Sequence, residues 1–168
     1  IFFDPNLRIK YPEGYLPKLA PIGNDIILTM DAIQMWLQNN QTNQFVFTPV
    51  ANLIFTPLLL LGYPKYYYVI TVATLASYLV ISLLAILMSA EKRHAVIIFI
   101  AAISIFSYGV QFELERGQSH TIALMLMLLS IYIFHRHKEF RWFAYILFSI
   151  SIQLKFYPAL FVILFVDN

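Results

Sequence analysis

The 168 residues are 60% hydrophobic and 12% charged, with a net charge of +2, a mean hydropathy of +0.72 and no cysteine. Soluble domains carry about a quarter charged residues, so the composition excludes one and leaves a polytopic membrane protein. Basic residues are scattered between apolar runs without a nucleic-acid motif, which excludes that class of partner. The missing thiols exclude disulfides, thiolate zinc sites and cysteine nucleophiles.

The chain opens on Ile1 and stops at Asn168, soon after an apolar run, as expected of a fragment. Residues 4 to about 44 are polar and loop-like, punctuated by Pro5, Pro12, Pro17 and Pro21. Within them Ile26, Ile27, Met30, Ile33 and Leu37 recur at spacings of three and four. That period predicts an amphipathic helix over 24–37. Its polar end, QNNQTNQ at 38–44, belongs in water. The apolar stretch from Phe45 to Leu61 is broken by Pro49 and Pro57 and is not one straight span.

After Pro64 the pattern changes. Residues 66–89 carry no charge and are long enough to cross ~30 Å of hydrocarbon at ~1.5 Å per residue. Further spans are expected at about 94–112, 119–134 and 141–166, the last interrupted by Lys155 and Pro158. Lys92 and Arg93 in one link, and Arg136, Lys138 and Arg141 in another, belong on the cytoplasmic side. His94, His135 and His137 fall in the same links. Alternation then puts residues 1–65, the FELERGQ cluster at 112–118 and Lys155 on the opposite face. Tyr66 to Tyr68 and Trp142 are expected as interfacial anchors. The third and fourth helices are short, which leaves room for a cavity opening outward. The expected fold is all-α, a polytopic transmembrane helical bundle (66–168) preceded by a long extracytoplasmic N-terminal loop (1–65). That loop contains the amphipathic helix and proline-broken juxtamembrane helices.

Polar residues on that face carry the chemistry. Lys155 follows the uncharged stretch Trp142–Leu154. An ionisable group there is either functional or a lysine snorkelling to the headgroups. Arg116, Gly117 and Gln118 stand where the third span begins, with Ser119 placed to cap it. Helix-start N–H groups beside an arginine form an anion site. Glu113 and Glu115 would hold that arginine or act as acid/base groups; the alternative is a solvated loop whose charges pair locally. Asp25 opens the amphipathic helix, either as a cap or as a reactive carboxylate, with Asp31 a competitor on a different face. His120 lies on the outward side, as a ligand contact or a helix-end residue. The HRH run lacks ligand spacing, and no Walker loop, GxSxG, HExxH or dinucleotide fingerprint occurs. No cofactor is expected, and a divalent metal is not indicated.

Taken together, FELERGQSHTIALMLMLLSIYIF and, some twenty residues on, ISIQLKFYPALFVILF carry a resemblance. The order is a polar loop, Gly-Gln at a helix start, a span, a basic link, then Lys-Phe-Tyr-Pro. It resembles the polyprenol-phosphate-sugar-dependent membrane glycosyltransferases of the C-type fold, the family of bacterial mannosyl- and arabinofuranosyl-transferases. NDIILTM supplies the family's external-loop Asp at Asp25, and FVFTPVANLIFTPLLLL its proline-containing aromatic stretch at 45–61. His120 departs from the small polar residue that family members often have there.

The resemblance implies a hexosyl- or pentosyltransferase in the inner (plasma) membrane, with its active site on the extracytoplasmic side. A lipid-linked sugar would be the donor, and a glycan or lipid hydroxyl the acceptor. Asp25 would be the base, and Arg116, Gln118 and Lys155 would hold the donor phosphate. Glu113, Gly117, His120 and Tyr157 would support them. Two competing expectations are a transporter or flippase that binds substrate at Lys155 and the Glu113–Gln118 cluster, and a structural subunit.

Overall fold

The computed structural model describes residues 22–38, 48–89 and 93–165. The proline-punctuated segment through Pro21, the polar stretch 39–44, Phe45 to Phe47, Lys92 and Val166 lie outside the described residues. Among the described residues the fold is all-α. The helices there run α1 (Asn24–Leu37), α2 (Pro49–Phe55), α3 (Lys65–Met88), α4 (His94–Ser104), α5 (Tyr108–Arg116), α6 (His120–Arg136) and α7 (Arg141–Leu154). Short 3-10 helices cover Thr56–Leu61, Lys138–Phe140 and Tyr157–Phe165.

The chain divides into two compact units. The first holds α1, α2, the start of α3 up to Val72, and Tyr108–Gln118; the second holds Ala73–Ser107 and Ser119 onwards.

In the first unit, the α1 stripe is a core face. Ile26, Met30 and Ile33 are buried, with Thr29 beside them. Leu37, at the end of the same expected stripe, is 51% exposed, so the buried face stops a turn early. Ala51, Phe55, Tyr66, Tyr67, Ile70 and Leu114 complete the core. Helix α2 starts at Pro49, whose missing N–H costs nothing at a first turn. The Thr48 hydroxyl accepts from the Ala51 N–H at 3.2 Å to cap it. Thus Pro49 begins a helix, and Pro57 opens the 3-10 turn that follows.

In the second unit, α6 and α7 form an antiparallel hairpin. Ala123, Ser130, Ala144 and Ser151 are each fully buried, and small side chains let two helix backbones approach closely. The Ser130 and Ser151 hydroxyls bond back to their own helices, at the Met127 and Phe148 carbonyls, 2.6 and 2.8 Å away. Around the hairpin's basic end the Arg141 guanidinium lies 4.6 Å over the Phe134 ring.

Helix α3 coincides with the first expected span and by itself is long and apolar enough to cross a membrane. The second expected span is broken at Ile105–Ser107, and α4 and α5 pass the same test only taken together. Residues 112–116, expected as loop, are instead the last turns of α5. Helix α6 is a shorter apolar helix, and α7 ends at Leu154, where Lys155 turns extended ahead of Pro158. Helix α4 has no buried residue, and Phe99 is 65% exposed on it. An apolar helix with most of its surface exposed suits lipid rather than water.

Candidate functional site

Helix α1 begins at Gly23, in the left-handed region at φ 80°, with no side-chain cap. Asp25 is therefore not the cap. It stands in the first turn, where the helix dipole favours a negative charge.

Helix α5 ends on Gly117, also left-handed at φ 67°. The Gln118 N–H bonds the Glu113 carbonyl at 3.1 Å, and the Gly117 N–H bonds the Leu114 carbonyl at 3.2 Å. This is a Schellman closure, which needs an αL residue and takes glycine most readily. Arg116 lies in the last turn, where the dipole favours a cation. The Gly23 N–H then donates to the Glu115 carbonyl at 2.6 Å, so the start of α1 meets the end of α5. Two helix ends of opposite partial charge abut, each carrying a side chain of the complementary sign.

Those two side chains pair. Arg116 Nε and Nη2 both donate to Asp25 Oδ1, at 2.8 and 2.5 Å, and Gln118 Nε2 donates to Oδ2 at 2.5 Å. The Asp25 and Arg116 side chains are 26% and 25% exposed, so the group is reachable from outside. A carboxylate offers about four lone-pair directions. The three donors leave one of them, on Oδ2, for an incoming hydroxyl. Arg116 carries about five N–H donors, so most of its guanidinium edge is left over for a second anion. Its Cζ lies 5.2 Å from the Phe112 ring centroid.

Behind the pair sits Tyr67, fully buried. A Cβ at Gly23 would fall 2.6 Å from its Cδ2, and one at Gly117 would fall 3.4 Å from the same atom. Its hydroxyl donates to the Leu114 carbonyl at 3.1 Å. One turn away, the Tyr63 hydroxyl donates to the Ile22 carbonyl at 3.2 Å. The expectation that Tyr66 to Tyr68 sit at an interface thus fails for Tyr66 and Tyr67, which are core residues.

A profile of glycosyltransferase family 87 matches residues 45–167, well over half of the chain. The chain belongs to glycosyltransferase family 87. No curated protein and no solved structure gives a significant match. Members of this family are membrane glycosyltransferases, in keeping with the apolar α3. Tyr67, Arg116, Gln118, His120, Lys155 and Tyr157 all fall inside the family match, whereas Asp25 lies before it. Geometry alone ties Asp25 to the family segment.

The remaining expected residues of this glycosyltransferase divide between the units. Glu113 is half-buried on α5, its carbonyl engaged in the Schellman turn, and Asp31 is exposed on α1, outside the cluster. Lys155, His120 and Tyr157 belong to the second unit, where the Tyr157 hydroxyl donates to the His120 carbonyl at 2.9 Å. Lys155 is half-buried, and its N–H closes α7 on the Ser151 carbonyl. Ser119 does precede α6, but with ψ at 19° its backbone is not extended, and its hydroxyl makes no cap. That hydroxyl is buried and has no hydrogen-bond partner among the described residues. Sequence reasoning missed Gly23, Tyr67 and the Glu115 carbonyl. The last two carry no signal in a single sequence; a glycine ahead of the Asn24–Asp25 pair is the one that could have been found.

Proposed function

We propose that this family member moves a hexosyl or pentosyl unit from a polyprenyl-phosphate sugar to an acceptor hydroxyl on the extracytoplasmic face. The observation that carries the reading is a partly exposed Asp25 carboxylate, held by Arg116 and Gln118 from 91 and 93 residues away. A carboxylate fixed by three donors, with one lone-pair direction left, suits a general base.

In the proposed step the acceptor hydroxyl bonds Asp25 Oδ2 and gives up its proton there. The freed oxygen attacks the anomeric carbon. The bond from that carbon to the phosphate oxygen breaks, and polyprenyl phosphate leaves with the electron pair. Gln118 orients the base. Arg116 does so too, and its uncommitted N–H groups are suited to the charge that grows on the leaving phosphate. To Lys155 we assign donor-phosphate binding on chemistry alone, as a cation flanked by apolar sequence, with His120 and Tyr157 in support. A carboxylate–guanidinium pair beside the phosphate would couple proton acceptance to departure of the leaving group.

The test uses the full chain in membranes with hexosyl and pentosyl polyprenyl-phosphate donors. Wild type is expected to transfer sugar, and D25N to lose ~10²–10⁴-fold in rate at unchanged abundance. Transfer by D25N at the wild-type rate removes the base assignment. Transfer from nucleotide sugars only removes the donor class.

A further inference from the structure

The two turns that deliver the site share one contact, and nothing in the proposed chemistry uses it. Gly23 sets where α1 starts and hence where Asp25 points. Gly117 sets how α5 ends and hence where Arg116 and Gln118 point. Both glycines lie against the Tyr67 ring, and the Tyr67 hydroxyl bonds Leu114, a carbonyl that the Gly117 turn also uses. Ile26, one residue beyond Asp25, fills the rest of the gap: a Cβ at Gly117 would fall 2.7 Å from its Cγ2. The ring is fully buried, so it has no solvent-facing role.

We infer that Tyr67 is the positioning residue of the Asp25–Arg116–Gln118 group, a template against which two glycine turns are set so that the carboxylate meets its donors. The inference rests on the proposed role of Asp25 as base for its catalytic consequence, but its structural content stands apart from that role. A flat ring with a hydroxyl at its end meets both demands: a face that only glycines can approach, and a donor for the α5 terminus. Leucine offers neither. A misplacement of about 1 Å in a reacting group can cost ~10²-fold in rate, and a lost neutral hydrogen bond about two- to tenfold.

The experiment compares wild type, Y67F, Y67L and D25N as full chains in membranes. Two quantities are read: kcat and donor KM for sugar transfer, and the rate at which a water-soluble carbodiimide with an amine labels Asp25 relative to Asp31. Asp31 lies exposed on the same helix and serves as the internal reference. Y67L is expected to lower kcat about 10²-fold with little change in donor KM, and to raise the Asp25:Asp31 labelling ratio severalfold as the carboxylate loses its donors. Y67F keeps the ring and is expected to recover most of kcat, with a ratio within about threefold of wild type.

A tyrosine that merely stabilised the fold would reduce the amount of folded protein and leave the ratio in that protein unchanged. An unchanged ratio in Y67L therefore overturns the inference. Should Y67L not accumulate, G23A forces the same contact from the other side, its Cβ falling 2.6 Å from the ring. No rise in the ratio for G23A overturns the inference equally. If the ratio rises while D25N still transfers sugar, the base assignment fails and the positioning role stands.

Discussion

Arg116 reaches Asp25 across 91 residues, and both of its donating nitrogens end on the same oxygen, Oδ1. The asymmetry leaves Oδ2 to Gln118 and to whatever else approaches. It also makes the guanidinium a lateral clamp on the carboxylate rather than a fork that fills both oxygens.

Replacing the clamp by a point charge tests that geometry. R116K keeps the cation but loses the pair of donors that meet Oδ1 from one plane. A hydrogen bond to a charged group contributes about 1.5–3 kcal/mol, so kcat is expected to fall at least about tenfold. In the D25N background the same change should cost less, because the share of the loss that runs through the Asp25 pairing is already gone and only the share at the leaving phosphate remains. Rates for the single and double variants, measured under one donor concentration series, decide it; additive losses would separate the two roles.

The glycines within and just past α5 should respond in opposite directions. Gly117 sits at φ 67°, and a Cβ there would meet Ile26 at 2.7 Å. G117A is expected to destabilise the protein by about 2–5 kcal/mol, from backbone strain of ~1–2 kcal/mol plus overpacking of ~1–3 kcal/mol. Gly109 lies inside the helix, and a methyl added there would meet nothing within 4 Å. G109A is expected to stabilise by about 0.5 kcal/mol. Thermal unfolding in detergent should therefore show shifts of opposite sign.

How much of this was legible beforehand depends on where a residue's partner lies in the chain. Helix α1 was, to its ends, because Ile26, Met30 and Ile33 mark a face by spacing alone. Helix α3 was, because an uncharged run of that length with no proline inside it reads as one continuous helix. Asp25 and Arg116 were both singled out, but as separate parts, base and phosphate ligand. Nothing local says that a carboxylate at 25 faces an arginine at 116. The continuation of helix α5 over 113–116 was missed because Glu113, Glu115 and Arg116 look like a solvated link. Yet arginine followed by glycine is a helix-stop signal, and Leu114 between the charges is a buried contact.

Aromatic residues were the hardest to place. Trp142 is 62% exposed, whereas Tyr67 has no exposed surface at all. Both stand close to a charge at the head of an apolar run. What separates them is two glycines, 44 residues before Tyr67 and 50 after it, whose positive φ no spacing rule reveals.

The α6–α7 seam offers a test away from the site. Ser130 and Ser151 are fully buried and bond to carbonyls of their own helices. S130A should be nearly neutral, since it removes a local bond and no interhelical one. S130L must force the helices apart and is expected to cost about 1–3 kcal/mol. Comparable melting temperatures for the two variants would mean that small size is not what the seam requires.

Sidedness is a direct check on the proposed location of the site. Asp31 and Gln111 are exposed residues of the first unit, and Lys138 is exposed in the second. With no native cysteine among these 168 residues, single cysteines at the three positions can be probed with an impermeant maleimide on intact cells. Labelling of the first two and not of Lys138 is expected. Labelling of Asp31 and Gln111 from opposite sides would break the Asp25–Arg116 pairing in the membrane.

The abutting ends of α1 and α5 also bear on the order in which the protein comes into being. Asp25 leaves the ribosome long before Arg116 and Gln118 are translated, and the Gly23 N–H waits as long for the Glu115 carbonyl. During that interval α3 is made, and the Ile26–Met30–Ile33 stripe has no α5 turn to cover its first residues. A chain interrupted before Arg116 would hold the Asp25 carboxylate without its clamp and a greasy helix without its lid. The Asp25 centre is therefore finished late, and a stalled or clipped precursor would lack it and be a natural client for chaperones and membrane proteases.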